Sequence, residues 1–342
     1  MGDDRLTHTT SRGSPMPTLK QLIPLTAACA LAACGGDGGS ADITGTGFVS
    51  LGVTDAPVDE AEAVVVTFTE VQLLGDDDAP RETFVLDTPQ QIDLLALQGN
   101  NSTFLIEGEE VPVGEYQQVR LLIDSVPPSC NSIPGELPSY ITIDGVDYPL
   151  VVPSGEQSGL KFQGPITVAA GQSAAYTVDF DLRQSIAERG ANDCYNLRPV
   201  VRVVDNAEVG TLTGTIDPAL FTDASCTADP VTGEGAAVYV YTGGSTVPDD
   251  ADSSTDDDVD PLTTALVTPI TDMDGNVTGF SYEVGFLLAE TYTAAFTCQA
   301  GNDLGEQDDD ITFGDIENDI VIQADTVTTI NFEAAPPATE TE

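Results

Sequence analysis

The stretch PDDADSSTDDDVDP, residues 248–261, carries the sharpest chemistry in the sequence. Hard cations such as calcium take several oxygen ligands, and Asp256, Asp258 and Asp260 have the alternating spacing with which an EF-hand loop begins. The pattern then departs from that loop, because Pro261 stands where glycine is required and Val267 where the bidentate glutamate belongs. A second stretch, Asp272-Met273-Asp274-Gly275-Asn276, fits a weak DxDG-type site equally well as it fits a hairpin turn. Asp308-Asp309-Asp310 adds charge without a ligand spacing. Calcium is therefore the one cofactor with a residue-level case, set against the reading of these runs as a solvated acidic coat.

Other carboxylates sit inside β patterns. Alternation over 176–182 puts Tyr176, Val178 and Phe180 on one face and Thr177, Asp179 and Asp181 on the other. Two carboxylates at that spacing can share a proton, hold a cation, or pair with a base; Lys161, Arg183, Arg198 and Arg202 are the available bases, and internal pairing is expected. In Thr54-Asp55-Ala56-Pro57, Pro57 holds Ala56 extended and the Asp55 carboxylate is expected to cap the turn.

Most enzyme chemistries are missing. The sole histidine, His8, falls in the stretch read below as a cleaved signal, so His-dependent triads and HExxH zinc sites have no base or ligands in the mature chain. Gly155-Glu156-Gln157-Ser158-Gly159 has the wrong spacing for a nucleophile elbow. A two-carboxylate glycan hydrolase survives in principle, but the chain has no tryptophan to stack on a sugar. The expectation is a non-enzyme.

Charge narrows the partners. Residues 1–33 hold two of the acids and three of the bases, so from Cys34 onward 55 acidic residues face 7 basic ones. From residue 207 to the end there are 28 Asp and Glu and no Lys or Arg. Such a surface repels phosphates, which excludes nucleic acid and anionic head groups as partners.

The start of the chain reads as an export signal. Leu22–Ala33 is an apolar run of twelve residues behind Lys20, too short to span a bilayer and right for a signal-peptide core. Met16 opens a compact version of the same signal and is an alternative start. Leu31-Ala32-Ala33-Cys34 resembles the lipobox of bacterial lipoproteins. The resemblance implies cleavage before Cys34, acylation there, and an outer-membrane address in a Gram-negative cell, since Gly35 follows. Cys29 is the weaker rival, with Thr26 at its −3 position. Residues 1–33 are thus read as signal peptide and 34–47 as lipidated cysteine and flexible linker.

The elements that must position these groups are β throughout. Runs at Phe48–Thr54, Ala63–Leu74, Tyr116–Ile123, Tyr140–Ile143, Ala174–Leu182 and Pro199–Val204 alternate or are β-branched. A short helix is expected near Leu182–Glu188 and a turn at Ile92–Leu97. After a polar break, a second set follows at Gly210–Ile216, Ala236–Tyr241, Thr264–Ile270, Val277–Leu288, Thr291–Thr297, Asp319–Gln323 and Val327–Phe332. The fold class is all-β: two antiparallel β-sandwich domains in series, 48–205 and 208–333, with a short helix in the first and a disordered tail over 334–342. In an oxidising compartment the even division of Cys130, Cys194, Cys226 and Cys298 between the halves suggests Cys130–Cys194 and Cys226–Cys298, one of three connectivities.

Six motifs in order, GFVSLGVTDAPVDEAEAVVVTFTEVQLL, IDLLALQG, VPVGEYQQVRLLID, PSGEQSGLKF, YTVDFDLRQSI and YNLRPVVRVVD, resemble a domain of unknown function common in bacterial lipoproteins, over about residues 47–205. The resemblance brings no activity, and the motif residues Asp55, Lys161, Asp179, Asp181 and Arg198 come with no assigned role. GTLTGTI, AAVYVYTG, YEVGFLLAETYTAAFTC and TVTTINF are similar to the transthyretin-like sandwich of carboxypeptidases and surface proteins, which implies a structural or binding module. The sequence thus points to a lipid-anchored envelope protein with an envelope protein or polysaccharide as partner.

Overall fold

The computed structural model describes residues 45–56, 61–75, 80–126, 137–153, 158–189, 194–252, 259–305 and 307–334. Strands β1 (Thr46–Ala56), β2 (Ala63–Leu74), β3 (Pro80–Asp93), β4 (Thr103–Pro112), β5 (Gly114–Asp124) and β6 (Tyr140–Ile143) come first. They are followed by β7 (Val146–Val151), β8 (Leu160–Val168), β9 (Ser173–Asp181), helix α1 (Leu182–Ser185), β10 (Ile186–Glu188), β11 (Tyr195–Leu197) and β12 (Val200–Asp205). These build one sheet of order β12-β9-β1-β4 and a second of order β10-β11-β7-β6-β2-β5-β8, with β3 paired to β2. Their facing sides enclose a core in which Phe180 meets Phe68 and Phe162 edge-on.

Only residues 206–208 separate β12 from the next set: β13 (Val209–Ile216), β14 (Ala237–Thr242), β15 (Thr263–Leu266), β16 (Thr268–Thr271), β17 (Val277–Leu288), β18 (Thr291–Thr297), β19 (Asp315–Val321) and β20 (Val327–Thr329). They form sheets β16-β17-β13-β20 and β15-β14-β18-β19 around a separate core containing Phe221, Phe280, Phe296 and Phe332. The all-β sandwich architecture is as expected, with two corrections. Three pairings are parallel, β1 with β9, β7 with β11 and β13 with β20, because long connections bring those strands alongside. The run expected as one strand over Thr264–Ile270 is two strands in different sheets, breaking at Val267.

Cys226 is disulfide-bonded to Cys298, closing a separation of 72 residues, worth about 4 kcal/mol in the chain-entropy account. Cys194 is also disulfide-bonded. Its expected partner Cys130 lies outside the described residues, as do Cys34, the signal and linker stretch up to 44, and the tail from 335.

The two pairs of sheets belong to a single compact unit running from Ile43 to Glu342. What joins them is Arg183 on α1. Its side chain is buried, donates to Ala300 O at 3.0 Å, lies 3.8 Å from the Asp303 carboxylate and stands 5.5 Å above the ring of Tyr239. Two glycines make the approach possible. A Cβ at Gly305 would sit 2.5 Å from Arg183 O, and one at Gly285 would sit 2.3 Å from Gly99 O. Around this centre, Glu283 accepts from Asn100 N at 3.0 Å and Asn100 accepts from Thr211 Oγ1 at 2.9 Å.

Removing one member of a buried ion pair strands the other charge. Arg183→Met is therefore expected to cost about 3–5 kcal/mol in chemical denaturation. Adding Asp303→Asn to that variant should recover part of the loss, which a double-mutant cycle measures.

Candidate functional site

Two groups of carboxylates, the first buried and the second partly so, lie at or near this junction. The first stands on neighbouring parallel strands, whose register sets Thr54 beside Asp179, Asp55 beside Phe180 and Ala56 beside Asp181. Strand β9 is buried along Tyr176–Asp181 on both faces, so the polar face expected for Thr177, Asp179 and Asp181 is covered too. Leu262 and Thr263 share a cavity with Asp179 and Asp181, which shows that the second sandwich does part of the covering.

The three acids have different fates. Asp179 is paired with Arg202, which approaches Oδ2 through Nε at 2.6 Å and through its terminal nitrogen at 2.5 Å. Burial raises its pKa and Arg202 pulls it back. Asp181 caps α1 by accepting from Gln184 N at 3.1 Å. Burial nonetheless pushes its carboxyl up to about 6, against the Gln184 amide and the Arg183 charge. Asp55 is expected to cap a turn, yet neither of its oxygens makes a hydrogen bond of normal geometry although the residue is only 4% exposed; the Leu182 backbone N–H is close enough only to moderate its charge. Burial, then the charges of Asp179, Asp181 and Asp93, raise its pKa well above the usual range, offset in part by the Leu182 backbone N–H. Of the bases weighed for these acids, Arg202 is the partner of Asp179, while Arg183 makes its ion pair with Asp303. Arg198 is exposed, and Lys161 is exposed on β8 opposite Arg120.

The second group is acidic and loop-borne. Asp250, Asp303 and Asp309 each offer an oxygen within 4.8 Å of the others, as do Asp250, Asp252 and Asp308. Asp303 accepts from Tyr239 Oη and from Ala251 N at 3.1 Å, and Leu304 N donates to Asp309 at 2.7 Å. Asp250 accepts from Asp309 N, and burial followed by the charges of its acidic neighbours raises its pKa to about 6. Burial likewise raises Asp303, with Arg183 and Tyr239 opposing.

The residues proposed for calcium from sequence fall otherwise. Asp256 and Asp258 lie outside the described residues. Asp260 is exposed and accepts from Asp252 N at 3.3 Å. Asp272 accepts from Asp274 N and Asn276 N, both at 2.9 Å, at an exposed turn between β16 and β17 where Gly275 adopts φ 84°. The Asn276 side-chain amide, which donates to Asp272 at 3.0 Å, and then the Asn276 backbone N–H hold the Asp272 pKa down. Asp250 and Asp252 sit within the acidic run that sequence reading singled out, but Asp303 in GNDLG and Thr264 in β15 carry no local signal at all.

Residues 46–199 match the family described as "Domain of unknown function (DUF4382)". No curated protein matches the chain. Among solved structures, a leucine-rich repeat protein from Bacteroides thetaiotaomicron is similar at 13% identity and TM-score 0.20, over 85% of this chain and 27% of that one. The fimbrial anchor protein Mfa2 from Porphyromonas gingivalis gives 12% identity and TM-score 0.19, over 80% and 83% of the two chains. The major pilin from Streptococcus pyogenes gives 11% and 0.15, over 84% and 98%. At these TM-scores no common fold follows.

The raised carboxylates set a pH dependence. A carboxyl whose folded pKa lies above its unfolded value binds its proton first in the folded state, so its contribution is full below the unfolded pKa and is lost as pH rises through the folded one. With chelator present, the melting temperature should rise as pH falls from about 7 towards about 4, Asp181 alone accounting for about 3 kcal/mol at most. Asp181→Asn, which keeps a capping side chain, should flatten that slope.

Proposed function

We propose that the chain is an exported, lipid-tethered protein of the cell envelope, held at the outer membrane of a Gram-negative cell through Cys34, and that its two sandwiches act as a non-catalytic binding or structural module. The observation that carries the non-catalytic reading is how the buried acids are used. Perturbed carboxylates mark active sites when they converge on a cleft with a task to perform. Here Asp179 holds Arg202, Asp181 holds the start of α1, and Asp303 holds Arg183, Tyr239 and Ala251. Each is engaged in joining elements.

Sheet edges supply the binding surface. β19 ends its sheet with Ile316 exposed between Asp315 and Glu317 and Val321 exposed beyond Asp319, and all four residues of the edge strand β16 are exposed. Acids along an edge block chance self-pairing and favour an added strand that brings Lys or Arg, so the partner is a basic segment of an envelope protein. A polysaccharide is the other partner class.

A second reading, a calcium-stabilised surface or adhesion module, is favoured by the grouped oxygens of Asp250, Asp303 and Asp309. Calcium would then be ligated there rather than by Asp256, Asp258, Asp260, Asp272 and Asp274. A component of calcium uptake lost in Asp250→Asn supports this reading, and uptake unchanged by that substitution removes it.

The main reading is tested by producing the full chain in a Gram-negative host fed a labelled fatty acid. Label on the wild type in the outer-membrane fraction, absent from Cys34→Ala, is expected, with no turnover of envelope glycans by the purified protein. Label that survives Cys34→Ala contradicts the anchor. Glycan turnover abolished by replacing two carboxylates contradicts the non-catalytic role.

A further inference from the structure

Among the described residues, both carboxylate oxygens of Asp55 and Oγ1 of Thr264, a residue only 2% exposed, lack a hydrogen bond of normal geometry, as does Asp303 Oδ1 beside Arg183. Asp55 comes from the end of β1 in the first sandwich and Thr264 from β15 in the second. They line the same cavity, of about 30 Å³, together with Asp179, Gly99 and Glu283. Buried polar groups are paired in the great majority of cases, and each one left unmade costs about 1–3 kcal/mol, more for a charge. Three converging on one small space mark a place for a ligand.

The surroundings define its chemistry. Asp55 lies in the field of Asp179, Asp181 and Asp93. Against these four carboxylates, Arg202 is engaged by Asp179 and the Arg183 guanidinium by Asp303. Oδ1 of Asp93 accepts from both Val64 N and Leu95 N. Counted as ionised, these four carboxylates outnumber the two guanidinium groups, and the unpartnered groups that line the cavity are hard oxygens. The space holds about one or two water-sized atoms, which suits a single ion and excludes an organic molecule.

We propose that Asp55 and Thr264 are ligands of a buried, oxygen-coordinated divalent cation of the calcium class that ties the first sandwich to the second. The ion satisfies oxygens from both sandwiches at once, so it acts on the joint that Arg183 forms. The site is separate from the Asp250–Asp303–Asp309 group, and neither requires the other. The competing state of the same cavity is an Asp55 that keeps its proton and binds no metal.

The test is a calcium titration of the purified full chain after chelation, read by calorimetry and by melting temperature at fixed ionic strength, with magnesium and sodium in parallel. A saturable calcium-selective rise in melting temperature is expected, because a ligand specific to the folded state stabilises it. Asp55→Asn and Thr264→Val should each weaken this component by about tenfold or more, while Asp250→Asn leaves it intact. Thr264→Val removes only the hydroxyl and keeps the shape, so it decides the matter if Asp55→Asn fails to fold. Calcium binding unchanged in Thr264→Val overturns the proposal. So does a sodium response equal to that of calcium, or an Asp55→Asn protein that melts higher than a wild type indifferent to metal.

Discussion

A guanidinium buried between two β-sandwiches needs acceptors and an opposite charge, and that requirement organises the centre of this protein. Arg183 reaches from a one-turn helix of the first sandwich into the second, where Ala300 O, the Asp303 carboxylate and the face of Tyr239 receive it. Taking such a charge out of water costs several kcal/mol, so the pair gives modest net stability and strong positional demands. Those demands propagate. Asp303 must be oriented by Tyr239 Oη and Ala251 N, α1 must be started by Asp181, and Gly305 must let the backbones approach.

The same junction concentrates negative charge. Strand β9 buries Asp179 and Asp181 beneath the second sandwich, and β1 adds Asp55 beside them. In a chain with 57 acids and 10 bases, internal guanidinium groups are scarce. Arg202 pairs with Asp179 and Arg183 with Asp303, while Asp181 caps a helix and Asp55 lines the cavity. Burial then works against ionisation at these positions, while the exposed acids of loops such as Asp272 are stabilised as anions by nearby amides. The protein thus carries two populations of acid: a solvated coat and a small buried set that links its parts.

Much of the fold was legible because strands announce themselves by period. Ala63–Leu74, Tyr140–Ile143, Val277–Leu288 and Thr291–Thr297 fall where alternation and β-branching place them, and Asp144-Gly145 and Asp274-Gly275 turn the chain as such dipeptides do. The helix after Asp181 was legible in kind, although only Leu182–Ser185 is helical before β10 resumes. β3 and β4 escaped because polar residues interrupt their alternation: Gln90, Gln91 and Asp93 in one, Glu107, Glu109 and Glu110 in the other. The site was less legible. Period 2 says that Asp179 and Asp181 share a face but not what covers it, and a second sandwich covering a polar face leaves no local trace. Asp303 and Thr264 matter only through residues distant in sequence, which no spacing rule reaches.

The buried junction couples the two sandwiches, so they unfold together. Differential scanning calorimetry of the full chain measures this directly. A single transition whose calorimetric and van't Hoff enthalpies agree is the predicted result. Two resolved transitions, each insensitive to substitutions in the other sandwich, would contradict it and reduce Arg183 to a local contact.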